Sequence, residues 1–212
     1  MKLKVCGITT LEQLQQLQEL QADYAGLIFY EKSKRYAHEK LAAQASAIRE
    51  LKLKKVGVFV NADMGLLKSL VEAYSLDAVQ LHGDETPEYC HALQNKTTVI
   101  KVFRISKNTE DIGALVVAYQ NACDYFLFDT DTEGYGGSGQ RFDWTLLQKA
   151  TIGKPFFLSG GIGPDDMDNL KSFQHPFLYA IDVNSRFEQS PGVKNIKQVK
   201  TFVNRLKQPL YG

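Results

Sequence analysis

Cys6, Arg35, His82, Asp129 and Asp182 are the side chains of this sequence with the most chemistry to offer, and each stands at or just beyond a short β-rich run. A thiol and a carboxyl group become a base and an acid when their surroundings tune them, and that pair suffices for a reaction made only of proton transfers. Cys6 closes the run Leu3-Lys4-Val5-Cys6, where a cysteine is either a small buried hydrophobe or a reactive thiol. Asp129 closes the apolar run Tyr125-Phe126-Leu127-Phe128. A carboxylate there is either a helix cap or an acid whose pKa is raised by an apolar wall. Arg35 follows Lys32-Ser33-Lys34. It either grips a substrate carboxylate with its two-pronged guanidinium or lies solvated beside those lysines. His82, in Gln80-Leu81-His82-Gly83, either orients a substrate or packs as a satisfied rim histidine. Asp182 falls on the inner face of the last run, so it needs partners there.

The elements that must position these groups recur along the whole chain. β-rich runs fall at Leu3–Cys6, Tyr24–Phe29, Lys55–Val60, Ala78–His82, Val99–Arg104, Tyr125–Asp129, Pro155–Ser159 and Leu178–Val183. Their spacing is that of a βα unit. Apolar residues at helical spacing lie between them: Leu11, Leu14 and Leu17; Leu66, Leu67, Leu70 and Val71; Leu115, Val116 and Tyr119; and Ile196, Val199, Phe202, Val203 and Leu206. Thr9-Thr10-Leu11-Glu12 reads as a capping box. Thr86-Pro87 sets a cap before a proline at the first helical position, and Gly163-Pro164-Asp165-Asp166 puts acids into a first turn. Strands alternating with helices make an α/β protein with parallel strands. Eight units in a row predict closure into a single (β/α)8 TIM barrel over residues 1–212. An open doubly wound sheet is the alternative, but no G-x-G-x-x-G follows the first run.

In such barrels the chemistry sits at the C-terminal ends of the strands, which gathers the residues above into one mouth. Alternation sends Leu3 and Val5 toward the helices and Lys4 and Cys6 toward the interior. Ser159-Gly160-Gly161-Ile162-Gly163 and Asn184-Ser185-Arg186 follow strands seven and eight, where barrels bind phosphate through loop amides. Glycine lets the backbone approach an anion closely, although a Gly-Gly pair also serves plain turns. The stretch Thr130–Phe142 is long for a βα loop, and its glycines suit either a hinged lid or a plain flexible connection. Cys90 and Cys123 fall on or beside helical segments and read as structural.

The bulk composition limits the alternatives. With 212 residues, 44% hydrophobic, the chain suits one globular domain with a sizeable core. A net charge of +1 gives no field for nucleic acid or an acidic membrane. Three cysteines without ligand-like spacing argue against a disulfide framework and fit a reducing compartment. Met1-Lys2-Leu3-Lys4 runs straight into a strand with no apolar signal core, and no run is long enough to span a bilayer. The expectation is a cytoplasmic protein.

These motifs resemble those of the phosphoribosylanthranilate isomerases of tryptophan biosynthesis. The stretches that carry the resemblance are Lys4-Val5-Cys6-Gly7-Ile8-Thr9, Gly26-Leu27-Ile28-Phe29 with Ser33-Lys34-Arg35-Tyr36, Val56-Gly57-Val58-Phe59-Val60, and Val79-Gln80-Leu81-His82-Gly83. Phe128-Asp129-Thr130 with Gly136-Gly137-Ser138-Gly139, Leu158-Ser159-Gly160-Gly161-Ile162 and Asp182-Val183-Asn184-Ser185 complete the series in order. The resemblance implies an Amadori rearrangement of N-(5′-phosphoribosyl)anthranilate. It also implies Cys6 as general base, Asp129 as general acid, Arg35 on the anthranilate carboxylate, and the loops holding Gly160, Gly161, Asn184 and Ser185 on the phosphate.

The chain departs from the family pattern at Arg186, where a glycine is usual, and at Lys34, where a proline is common. The reaction needs no metal, nucleotide or redox cofactor. The only partner it implies is a small phosphosugar, with a monomer or a homodimer both open. The analogous isomerisation of histidine biosynthesis would place a carboxylate where Cys6 stands. A Schiff-base lyase would use Lys101, and a non-catalytic phosphosugar binder would have no use for a paired acid and base.

Overall fold

Runs of Val, Ile, Phe and Tyr become strands here because their branched and aromatic side chains pack well on a pleated surface covered on both faces. A computed structural model describes residues 1–131 and 142–208. Most of the long loop expected at Thr130–Phe142 lies outside the described residues. The strands are β1 (Lys2–Val5), β2 (Tyr24–Ile28), β3 (Lys54–Phe59), β4 (Ala78–Leu81), β5 (Thr98–Ile105), β6 (Tyr125–Thr130), β7 (Phe156–Leu158) and β8 (Leu178–Val183). Each pairs in parallel with the next, and β8 closes on β1 to complete an eight-stranded barrel. Every strand lies within one residue of the run expected from the sequence.

The helices are α1 (Leu11–Glu19), α2 (Ala37–Leu41), α3 (Ala45–Arg49), α4 (Met64–Tyr74), α5 (Pro87–His91), α6 (Ile112–Val116), α7 (Thr145–Lys149), α8 (Met167–Ser172) and α9 (Ile196–Lys207). A small antiparallel pair, β9 (Glu188–Ser190) and β10 (Val193–Lys194), follows β8. The five-residue α2 and α3 carry too few large apolar residues to announce themselves by periodicity.

Several local expectations need correction. Thr10, not Thr9, caps α1: its side chain accepts from the Gln13 N–H, so Gln13 holds the position assigned to Glu12. Gln13 is also drawn inward, where its Nε2 donates to the Gly192 carbonyl at 3.0 Å. On α4 the buried face is Leu67, Leu70 and Tyr74, and Leu66 is exposed. On α6 it is Ile112 and Val116, with Leu115 outside. A short helix needs only a narrow apolar stripe, so the extra leucine faces solvent. Thr86 does cap α5, accepting from the Tyr89 N–H ahead of Pro87.

Two cores follow from strand alternation. Outward residues such as Leu3, Val5, Leu27, Val79, Val99, Phe126 and Leu158 pack under the helices. Inward residues Tyr24, Val56, Ala78, Ile100, Val102, Leu127, Phe157 and Ala180 fill the lower barrel. Each fully buried Leu, Val or Phe contributes about 1.5–3 kcal/mol, so this plug makes the lower barrel rigid. A repeated device ties the bottom rim together. Asp23, Asp77 and Asp124, each just ahead of an even-numbered strand, accept the N–H of the second residue of β1 (Leu3), β3 (Lys55) and β5 (Val99) at 2.7–2.9 Å.

Candidate active site

Above the apolar plug the interior turns polar on β1, β4 and β8, whose next inward positions are Lys4, Gln80 and Asp182, while Ile28 and Val58 keep the β2 and β3 wall apolar. β1 and β8 pair Lys4 with Asp182, and the Lys4 Nζ donates to Asp182 Oδ1 at 3.0 Å. Both side chains are almost fully buried, so each satisfies the other's charge. One inward step above lies Cys6, at the mouth. A cavity enclosing about 670 Å³, its open mouth included, is lined by Cys6, Gln80, His82, Asp129, Ser159, Gly160, Gly161, Asp182, Asn184 and Ser185, among others. Eight of the nine residues singled out from the sequence therefore share one cavity.

Cys6 reaches this mouth because Gly26, beside it on β2, has no side chain. A Cβ there would stand 2.7 Å from the Cys6 sulfur. Burial pushes the thiol pKa up, while the ammonium of Lys4, which also hydrogen-bonds the sulfur, and that of Lys194 pull it back. Burial would lower the Lys4 pKa, but Asp182 and the thiol outweigh it, and Lys4 stays a cation.

Asp129 enters from β6, and its Oδ1 accepts the Thr130 N–H at 2.9 Å. That bond is local, so the carboxyl is not spent as the cap of a following helix. Burial, and then the charge of Asp182, lift its pKa to about 6. His82 Nε2 stands 3.5 Å from Asp129 Oδ2, and burial followed by Lys4, Lys101 and Arg104 drives the imidazole pKa down to about 3. The ring is therefore neutral at physiological pH.

The glycine seat lies between β7 and β8. Gly160 and Gly161 have φ of +93° and +66°, the left-handed region that glycine tolerates. A Cβ on Gly160 would stand 2.8 Å from the Thr130 N. Arg186 is exposed, with its guanidinium against Gly163, where a Cβ would lie 2.9 Å from Nε.

Arg35 differs from the simple reading. It does not line the cavity and is not loosely solvated. It arches over Gly7, where a Cβ would meet its Cδ at 2.7 Å. Its Nε donates to Glu188 Oε1 at 2.9 Å and its NH2 group to Glu188 Oε2 at 2.6 Å. Lys194, a fully buried ammonium, donates to the same Glu188 at 2.7 Å and to Asn184 Oδ1 at 2.8 Å. Glu188 and Lys194 were not reached from sequence, because only the fold of the β9–β10 pair brings them to Arg35. Gln80 and Lys4 were also missed as site residues, although their inward register on β4 and β1 was available.

Lys101 is excluded as a nucleophile in this mouth. It shares its face of β5 with Val99, Phe103 and Ile105, which pack under the helices. Its Nζ is bound there by Glu85 at 2.8 Å and the Gly83 carbonyl at 2.7 Å.

A polar mouth with a buried thiol and a poised carboxyl, set on a rigid plug, defines a (β/α)8-barrel enzyme of the acid–base kind. Comparison with known proteins narrows the class. Residues 3–205 match the family model for N-(5′-phosphoribosyl)anthranilate isomerase. The protein of that name from Parabacteroides distasonis is 42% identical over 211 residues, covering 99% of this chain and 95% of its own. That from Phocaeicola vulgatus is 39% identical, covering 99% and 100%. The crystal structure of the Thermotoga maritima phosphoribosylanthranilate isomerase superposes with a TM-score of 0.81 at 33% identity, over 98% of each chain. A family structure in complex with reduced 1-(o-carboxyphenylamino)-1-deoxyribulose 5-phosphate superposes at 0.77, with 31% identity over 98% of each chain. The chain belongs to the N-(5′-phosphoribosyl)anthranilate isomerase family, and its reaction is that isomerisation, a step of tryptophan biosynthesis.

Proposed function

We propose that Cys6 is the general base and Asp129 the general acid of this isomerisation, in one barrel spanning the chain. The observation that carries the assignment is their convergence, from β1 and β6, on a single cavity beside the glycine seat. Asp129 gives its proton to the ring oxygen of the phosphoribosyl group as the C1′–O bond breaks, and the anthranilate nitrogen lone pair forms the iminium. The Cys6 thiolate then removes the C2′ proton to give the enolamine. Loss of the C2′ hydroxyl proton and protonation at C1′ yield the 1-amino-1-deoxyketose, with no net change in protons or electrons.

Gly160, Gly161, Asn184 and Ser185 seat the phosphate, using backbone amides that glycine leaves uncovered. Arg35 meets the anthranilate carboxylate, with Glu188 fixing its orientation. Asp182 acts through Lys4, and His82 faces the acid. The substrate is the phosphosugar partner, and the reading places the enzyme in the cytoplasm as a monomer or homodimer. No helix among the described residues is long and apolar enough to cross a membrane.

The test is turnover of freshly prepared phosphoribosylanthranilate, followed by loss of anthranilate fluorescence. Cys6→Ser and Asp129→Asn should each lose roughly 10²–10⁴-fold in kcat, with modest change in KM, as for a missing general base or acid. Near-normal turnover by either variant removes that residue from its role.

A further inference from the structure

Gln80 is buried to 1% exposure, lines the cavity and bonds to His82, yet the acid–base scheme gives it nothing to do. We propose that Gln80 is a positioning residue that sets the tautomer of His82, so that the imidazole presents an Nε2–H to Asp129. The inference rests on the reading of Asp129 as the general acid.

The geometry runs in one line along the mouth. Gln80 lies on β4 and His82 two residues on, just past its end, and the Gln80 Nε2 lies 3.1 Å from His82 Nδ1. The far nitrogen, Nε2, faces Asp129 Oδ2 at 3.5 Å. A neutral imidazole has one N–H and one lone pair. An amide N–H aimed at Nδ1 requires the lone pair on Nδ1 and therefore the hydrogen on Nε2. Rotating the amide would reverse both roles, and two arguments oppose it. The rotated group would bury two amide N–H donors where one carbonyl, Gln80 Oε1, now lacks a partner, and an unpaired carbonyl is the more tolerable orphan. It would also turn a ring lone pair toward a carboxylate that is itself an acceptor.

The consequence falls on Asp129. When it releases its proton, the new carboxylate has the Thr130 N–H and the Ser159 hydroxyl as hydrogen-bond donors, with the His82 Nε2–H dipole facing it from 3.5 Å. Donors fixed before charge develops stabilise it without reorganisation. The charged groups around this line are Lys4 from β1, Arg104 from β5 and Asp182 from β8, with Lys101 behind β4 and the Cys6 thiol across the cavity. Lys4, Lys101 and Arg104 oppose a second proton on the ring, so His82 stays a neutral donor rather than becoming a competing acid.

The experiment is ¹⁵N NMR of histidine-labelled enzyme at pH 7–8, with the His82 signal among the four histidines assigned by its absence in His82→Gln. The expected spectrum is a neutral ring with a pyrrole-like Nε2 and a pyridine-like Nδ1. A pyrrole-like Nδ1, or an imidazolium, overturns the proposal. In Gln80→Met the tautomers should mix and the lower pH limb of kcat/KM should move up by about 0.5–1 pH unit, as the N–H dipole facing the carboxylate is weakened. The substrate phosphate also titrates near pH 6, so the shift between the two enzymes is what is read.

A variant with an unmoved tautomer, or a moved tautomer and an unmoved limb, overturns the link to Asp129. If Gln80→Met does not fold, the wild-type spectrum alone decides the tautomer. Undiminished turnover by Asp129→Asn would instead remove the acid role and leave the tautomer assignment standing.

Discussion

Lys4 and Asp182 close the barrel from the inside: they are register partners across the β1–β8 seam, joined Nζ to Oδ1 at 3.0 Å, one inward step below Cys6. The ammonium serves two groups, the carboxylate of Asp182 and the sulfur of Cys6, whose thiolate it favours when the proton leaves. Lys4→Met keeps the stem and removes the charge. It should destabilise the fold by about 3–5 kcal/mol, since a buried carboxylate loses its partner, and should also suppress turnover. Adding Asp182→Asn should restore much of the stability but not the turnover. Urea denaturation beside the fluorescence assay separates the two effects, and recovery of both together would reduce Lys4 to a structural ion pair.

The pKa directions at the mouth make the pH profile specific. Asp129 lies at about 6 and Cys6 above its ordinary range. The working form, acid protonated and base ionised, is then the minor arrangement of a single proton. Its fraction is constant between the two pKa values and falls outside them. The profile of kcat/KM should be a plateau with its lower limb near pH 6 and its upper limb above pH 8.5, the ordinary cysteine value. A bell centred near pH 6 would contradict it.

Stability carries the same signature with a definite sign. Asp129 has a folded pKa of about 6 against 3.8 for an ordinary aspartate. The native state therefore holds the extra proton between those values, and stability falls as pH rises through that window. Asp129→Asn should remove this slope. It should be more stable than wild type at pH 7 by roughly 1–2 kcal/mol, allowing for the residual solvent contact of the carboxyl, and equal to it near pH 4. Denaturation curves at the two pH values measure this. Equal stability at pH 7 would mean that the carboxyl is already solvated.

Arg35 reaches the rim with one edge of its guanidinium taken by Glu188, whose Oε1 also accepts from Lys194 and the Gly192 N–H. Glu188→Gln keeps the shape but removes the charge that holds two cations together. Loss of uniform substrate binding raises KM with little change in kcat, and a roughly ten-fold rise is expected here. A fall in kcat at constant KM would place Glu188 in the chemical step instead.

At Gly160 the backbone conformation itself is the test. Alanine there must adopt φ near +93° with its Cβ pressed on the Thr130 backbone. A strained residue of this kind costs on the order of 1–3 kcal/mol. Gly160→Ala should weaken inhibition by inorganic phosphate along with substrate binding. Unchanged phosphate inhibition would move the anion seat elsewhere.

The eight strands were legible in the sequence because strand signals are local: branched and aromatic residues in short runs, separated by capped helical segments. Parallel closure followed from the alternation, and the inward register of Lys4 and Cys6 followed from counting in twos. The same counting reached Asp182, and the strand-end rule reached Asp129, Gly160 and Gly161. Helix faces were less legible. Leu66 and Leu115 match the apolar period of their segments but face solvent, because short helices bury only part of it.

Contacts between remote segments were decided only by the tertiary structure. No spacing rule joins Arg35 to Glu188 or Glu188 to Lys194; the β9–β10 pair folds back, its Gly192 carbonyl held by Thr9 and Gln13, and brings them within 3 Å. Lys101 is a lysine on a barrel strand in the sequence, and its outward register on β5 takes it out of the mouth. The pKa values of Cys6 and Asp129 likewise depend on how deeply each is buried and which charges face it. The order of residues sets the elements and their inner faces, whereas the electrostatics of the mouth arise when eight strand ends meet in a space too small for bulk water to screen.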